Sequence, residues 1–249
     1  MALIENYFCR LAVIIFISSY QNNMPEHKSE LEREFELERL ILFSDAVFAI
    51  AITLLIIEIK FPEVGKGDTT SEIFTAFKPV IIRFLAFTLS FIFIGITWAR
   101  HLQLCRYIKK YNNGLIRRNL VLLFFVVCFP FSASGLTEHI RPSFMLPIFV
   151  YMINIAGVVS AQLALAHYIF YKKPALSING LEAEKHYMYL KYKWSTFIFL
   201  AVFVLYVVLS IFFNQQSFIP ALDFYLIPLL LVIMRKRIKK YKPASADEE

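Results

Sequence analysis

Six apolar blocks dominate the chain, and short polar or charged stretches separate them. A helix needs about 20 mostly apolar residues to cross a bilayer. Hydrocarbon offers no hydrogen-bond partners, so each block is predicted to satisfy its own backbone as a helix. The predicted transmembrane helices are Leu40–Ile59, Pro79–Trp98, Asn119–Leu136, Phe144–Phe170, Trp194–Phe213 and Phe218–Met234. The pattern thus predicts an all-α membrane protein with six transmembrane helices.

The positive charges indicate the orientation of this bundle. Most of the 26 Lys and Arg lie in the loops after the second and fourth blocks and in the tail after the sixth. Loops rich in Lys and Arg remain in the cytoplasm. Both termini are therefore predicted to be cytoplasmic. Three parts follow: a cytoplasmic N-terminal segment 1–38, a six-helix transmembrane domain 39–234, and a cytoplasmic tail 235–249 that is basic and then acidic. Met24 is a candidate start, which would place residues 1–23 upstream of it.

Composition excludes most soluble functions. Hydrophobic residues make up 58% of the chain and the mean hydropathy is +0.59, whereas ordinary soluble domains are about 45–50% apolar. The net charge of +7 follows the membrane topology, so nucleic-acid binding is not expected. His101 and Cys105 stand one helical turn apart, but two ligands do not make a metal site. The three cysteines indicate no disulfide framework.

Polar residues recur at one depth of the first three blocks. Ser44 and Asp45 lie inside the first block, and Trp98, His101 and Asn119 reach a similar depth from the second and third blocks. Arg39 is poorly placed to pair with Asp45, because six residues rotate the side chains by about 240°. One interpretation is a structural clamp between three helices. The alternative is a proton relay through His101 and Asp45.

The sequence around this polar group resembles a known family. Arg39, Phe43, Ser44 and Asp45 fit the R-x-x-x-F-S-D signature of the transmembrane protein 175 family, which comprises lysosomal and prokaryotic potassium channels. Trp98, His101 and Asn119 stand in patterns similar to that family. A single six-helix unit is similar to the prokaryotic members, and the resemblance implies a homotetramer around a central pore lined by the first helix.

The apolar face of the first helix is the candidate pore wall. Ile50, Leu54 and Ile57 share one face, and Thr53 lies beside them. The resemblance implies that the three apolar residues form the narrowest part of the pore and gate it, and that the Thr53 hydroxyls lie near the permeating ion. Without the resemblance, such a stripe is usually lipid or helix packing, and Thr53 is expected to bond back to the carbonyl of Ala49.

Three function classes remain to be compared. The resemblance favours a potassium-selective channel of a prokaryotic cell membrane, with potassium as the permeant and no cofactor. Asp45, His101 and His167 motivate the alternative, a proton-coupled secondary transporter. An intramembrane enzyme is not expected, because neither G-x-S-x-G nor H-E-x-x-H occurs in the chain. The lipid bilayer and further copies of the chain are the expected partners.

Overall fold

The computed structural model describes residues 30–57, 59, 61–62, 65, 69–138 and 146–212. Within them the chain is helical apart from its loops. We number the helices α1 (Glu30–Ile57), α2 (Thr70–Cys105), α3 (Asn113–Val127), α4 (Phe129–Glu138), α5 (Leu146–His167) and α6 (Glu182–Phe212). A π-helical turn, Tyr168–Lys172, extends α5, and a 3₁₀ turn, Pro174–Leu176, follows it.

Five of the predicted transmembrane helices lie in the described part of the chain and are long and apolar enough to span a bilayer. Their extents are Glu34–Ile57, Ile73–Cys105, Asn113–Gly135, Leu146–Lys172 and Glu182–Leu205. The predicted Phe218–Met234 helix and the 235–249 tail lie outside the described residues. The described residues thus hold five candidate membrane-spanning helices.

The helices extend further than the apolar blocks that predicted them. Helix α2 begins nine residues before Pro79, where the second predicted helix begins. Helix α6 begins twelve residues before Trp194, where the fifth predicted helix begins. Hydropathy marks only the part of a helix that lies in lipid, whereas Glu, Leu and Lys continue a helix readily into water. The predicted boundaries were therefore too narrow at these ends.

The third predicted transmembrane helix, Asn119–Leu136, is divided between two helices in the structure. α3 ends at Val127, Cys128 forms a turn, and α4 begins at Phe129. Pro130 explains the break, because it has no backbone N–H to donate to the preceding turn and its ring crowds that turn.

Helix α5 lies at the centre of the packing, in contact with α3, α4 and α6, while α2 packs on α4. Gly157 allows α5 to approach α3 closely, because a Cβ at this position would overlap the ring of Phe125. Small residues commonly serve this purpose between membrane helices.

At the end of the bundle that carries the basic loops, two connections are joined. Ile108 and Ser177 form an antiparallel bridge, in which Lys109 N donates to Leu176 O at 2.7 Å and Ile178 N donates to Tyr107 O at 3.0 Å. This bridge ties the loop between α2 and α3 to the loop between α5 and α6.

Candidate functional site

A buried hydrogen-bond chain connects α1, α3 and α2. Asn119 donates from Nδ2 to Ser44 Oγ at 2.8 Å, and His101 Nε2 lies 2.9 Å from Asn119 Oδ1. Ser44 in turn donates to Leu40 O at 2.9 Å. Ser44 has no exposed surface, and His101 and Asn119 are almost as deeply buried. One polar side chain from each of three helices is thus satisfied without water.

The direction of these bonds determines the state of the histidine. An amide oxygen can only accept, so Nε2 of His101 must carry the proton. In the neutral ring Nδ1 is then an acceptor, and the sulfur of Cys105 lies 3.7 Å from it. The ring of Phe48 packs on His101 with centroids 5.6 Å apart. The imidazole is therefore held by contacts around most of its edge and one face.

Asp45 belongs to a second contact. The indole Nε1 of Trp98 donates to Asp45 Oδ1 at 2.9 Å, which joins α2 to α1. Asp45 is half-buried, whereas Ser44 beside it is fully covered. The structure therefore brings all five polar residues to one level but divides them into two hydrogen-bonded sets. We call Ser44, Asp45, Trp98, His101 and Asn119 the helix clamp.

The remaining residues of the R-x-x-x-F-S-D signature lie outside these contacts. Arg39 is exposed, and half of the Phe43 side chain is exposed. Both project from the side of α1 that turns away from α2 and α3. The signature thus divides between a buried half, Ser44 with Asp45, and an exposed half.

Helix α1 has two unlike faces. Phe48, Ala51 and Leu55 are each no more than 2% exposed, whereas Ile50 is 58% and Ile57 66% exposed. Leu54, at 40%, lies at the edge of the exposed face, and Thr53 lies within it. We call Ile50, Thr53, Leu54 and Ile57 the outward stripe.

The hydroxyl of Thr53 bonds within its own helix, as expected, but to a different carbonyl. It donates to Ile50 O at 2.9 Å and not to that of Ala49. An i−3 acceptor is also within reach of a threonine hydroxyl on a helix. This bond uses the only proton of the hydroxyl, so its lone pairs remain available on the outward stripe.

Metal binding finds no support within the described residues, which hold no group of three His, Cys, Asp or Glu side chains suited to an ion. His101 and Cys105 do approach each other, but a thiol and an imidazole alone leave a metal under-coordinated.

Two polar residues, Gln162 and Arg83, were not among the predicted site residues. Gln162 on α5 donates to the Thr97 carbonyl at 2.8 Å, next to Trp98 of the clamp on α2. Arg83 lies on α2 with its Nε buried. The signal for each was a polar residue inside a predicted transmembrane helix, which the membrane tolerates only with a partner or a function.

The described helices define a class: a multi-pass helical membrane protein in which α1 is pinned by polar contacts on one side and presents apolar side chains on the other. Residues 39–130 match the family described as "Endosomal/lysosomal potassium channel TMEM175". A relative from Chryseobacterium sp. (strain P1-3), Potassium channel HX13_20290, is 31% identical over 203 residues, or 81% of this chain and 95% of that protein. The chain belongs to the TMEM175 family.

More distant comparisons agree with this membership. The crystal structure of a lysosomal potassium-selective channel TMEM175 homolog from Chamaesiphon minutus shares the fold, with a TM-score of 0.64 and 24% identity. The aligned region covers 82% of this chain and 98% of the Chamaesiphon homolog's chain. The rat Endosomal/lysosomal proton channel TMEM175 is 21% identical over 196 residues, 76% of this chain and 38% of the rat protein.

Proposed function

We propose that this chain is one subunit of a potassium-selective channel that conducts passively, with the outward stripe of α1 as the pore wall. The observation that carries the proposal is the exposed apolar face on a helix whose other face is fixed. The Chryseobacterium relative is named a potassium channel, and the Chamaesiphon homolog is described as potassium-selective. The proposal includes a sixth transmembrane helix, cytoplasmic termini and assembly as a homotetramer in a prokaryotic cell membrane.

Helical geometry supports the pore face. Successive residues rotate by 100°, so Ile50 lies about 160° around the helix from the buried Phe48, and Ile57 lies 180° from it. A second contact surface is therefore available on the side opposite to the clamp. Four copies around an axis would stack rings of Ile50, Leu54 and Ile57 with one ring of Thr53 hydroxyls.

An apolar stripe alone is equally compatible with contact to lipid. Thr53 weighs against contact with lipid, because hydrocarbon offers no hydrogen-bond donor to the lone pairs of its hydroxyl. In a pore the same lone pairs could coordinate a cation that has lost part of its water. The sequence has no T-V-G-Y-G segment to build a carbonyl filter. Selectivity would instead depend on Thr53, and the isoleucine and leucine rings would gate by excluding water.

The helix clamp would hold α1 in register for this role. A side-chain amide such as Asn119 exchanges no proton readily, and the Trp98 indole only donates. A proton path from His101 to Asp45 through these partners is therefore chemically unfavourable. The contacts favour a structural clamp, with Arg39 and Phe43 facing outward at one end of the stripe.

The test is ion flux through purified protein in liposomes. We expect a potassium current without ATP or a coupled ion, and a reversal potential that favours potassium under a potassium/sodium gradient. Ile50→Asn should raise the leak, because a polar ring wets the constriction. The control Ile92→Asn changes a similarly exposed isoleucine on α2 and should leave the leak unchanged.

A proton pathway is the second candidate, and the name of the rat relative favours it. The same liposomes with a pH-sensitive dye separate the two. Potassium current that persists without a proton gradient supports the channel, whereas flux that strictly requires the gradient overturns it in favour of a proton-coupled transporter.

A further inference from the structure

A shallow apolar groove lies between α1, α2 and α4, at the end of the bundle opposite to the helix clamp. It is lined by Leu55, Ile59, Arg83, Ala86, Phe87, Ala133 and Ser134. Arg83 is 18 residues from His101 along α2, or about 27 Å at 1.5 Å per residue. α4 ends at Glu138, one turn after Ser134. The groove therefore lies near the ends of α1 and α4 that are remote from the clamp.

Arg83 is the unexplained charge of this groove. Its Nε is fully buried, and within the described part of the chain no group accepts a hydrogen bond from it. The guanidinium carries five N–H donors. A buried donor without an acceptor is costly, and a cation among apolar membrane helices is retained for a partner or a function.

We propose that this groove binds a membrane phospholipid, with Arg83 holding the phosphate and an acyl chain lying along the apolar walls. The planar guanidinium matches a phosphate oxygen pair with two parallel hydrogen bonds. Ala86 and Phe87, both partly exposed, offer the hydrocarbon surface that the chain of the same lipid requires. One cation in an apolar groove is complementary to an amphiphile rather than to a soluble anion.

The experiment is a thermal-unfolding shift on delipidated protein in detergent, with dioctanoyl phosphatidylglycerol added back. We expect the lipid to raise the unfolding midpoint of the wild type. Arg83→Gln should require an at least about tenfold higher lipid concentration for the same shift, the factor that loss of one charged hydrogen bond gives. Lys78→Gln, an exposed cation five residues earlier on α2, is the matched control and should respond as the wild type does.

Three outcomes overturn the proposal. Equal lipid responses of Arg83→Gln and the wild type show that the guanidinium binds no phosphate. An equal response to sodium phosphate shows that the apolar groove contributes nothing. No lipid-induced shift in the wild type shows that the groove holds no phospholipid. If Arg83→Gln fails to fold, Arg83→Lys replaces it, because it keeps the charge but loses the paired geometry and should still weaken the response.

Discussion

The amide of Asn119 donates to the hydroxyl of Ser44 across 2.8 Å while its oxygen lies 2.9 Å from His101. One side chain on α3 thereby satisfies a partner on α1 and another on α2. Ser44 bonds to only one other helix, because it donates its own proton to Leu40 O within α1. The other ring nitrogen of His101 likewise lies near Cys105 of its own helix. Asn119 is the residue through which the three helices are coupled.

Asn119→Ala is expected to lower the free energy of unfolding by about 1–3 kcal/mol, because the buried Nε2–H of His101 loses its acceptor. Interhelical hydrogen bonds in membranes contribute about 0.6–1.7 kcal/mol each, which agrees with that range. Unfolding by SDS titration in mixed micelles measures it. Asn179→Ala, on an exposed loop residue, is the control, and an equal loss in both proteins would contradict the central role of Asn119.

The common depth of these polar groups could be predicted from sequence, because a constant rise per residue converts position into depth. Their pairing could not. Asp45 and Ser44 are neighbours in sequence, yet one bonds to Trp98 and the other to Asn119. Which neighbour each side chain meets depends on the rotation of one helix about another, and hydropathy carries no information on that rotation.

The contact between Gly157 and Phe125 gives a prediction about packing. Gly157→Ala should lower the free energy of unfolding by about 1–3 kcal/mol, because the added methyl overlaps the aromatic ring in a close-packed interface. Gly95→Ala is the matched control, since nothing lies within 4 Å of its Cβ position. Alanine is the better helix former, so Gly95→Ala should be neutral or stabilising. A destabilisation of equal size in both would show that loss of glycine itself is the cause.

Thr53 offers a test of selectivity with an internal control. Thr53→Ala should change the potassium-to-sodium permeability ratio, measured as the reversal potential under a bi-ionic gradient, if its hydroxyl faces the ion. Thr88 on α2 makes the same kind of intrahelical bond, to Phe84 O at 2.8 Å. Thr88→Ala should therefore leave the ratio unchanged. An unchanged ratio in Thr53→Ala would place selectivity elsewhere.

The outward stripe could be predicted from the sequence as a face of α1, but what covers that face could not. Ile50 and Ile57, which periodicity groups on one face, are both exposed, because both lie opposite to Phe48. Leu54 lies only at its edge, since the rotation of α1 is determined by the clamp and by the packing of Phe48, Ala51 and Leu55. Whether lipid or water covers that face depends on other copies of the chain, which one chain's periodicity does not specify.

Asp45 separates the clamp from proton-coupled transport. In Asp45→Asn the amide oxygen can still accept from the Trp98 indole, so we expect a loss of less than about 1.5 kcal/mol in the free energy of unfolding, and potassium flux should persist. Asp45→Leu removes the acceptor, and Trp98→Phe removes the donor. If the 2.9 Å contact is the reason for both losses, the double variant should be less destabilised than the sum of the two, with a coupling energy of about 0.5–3 kcal/mol. Additive losses would show that each residue acts through other contacts. Loss of all flux in a correctly assembled Asp45→Asn protein would instead assign the carboxylate a role in moving protons, because that substitution keeps the hydrogen bond and removes the titratable group.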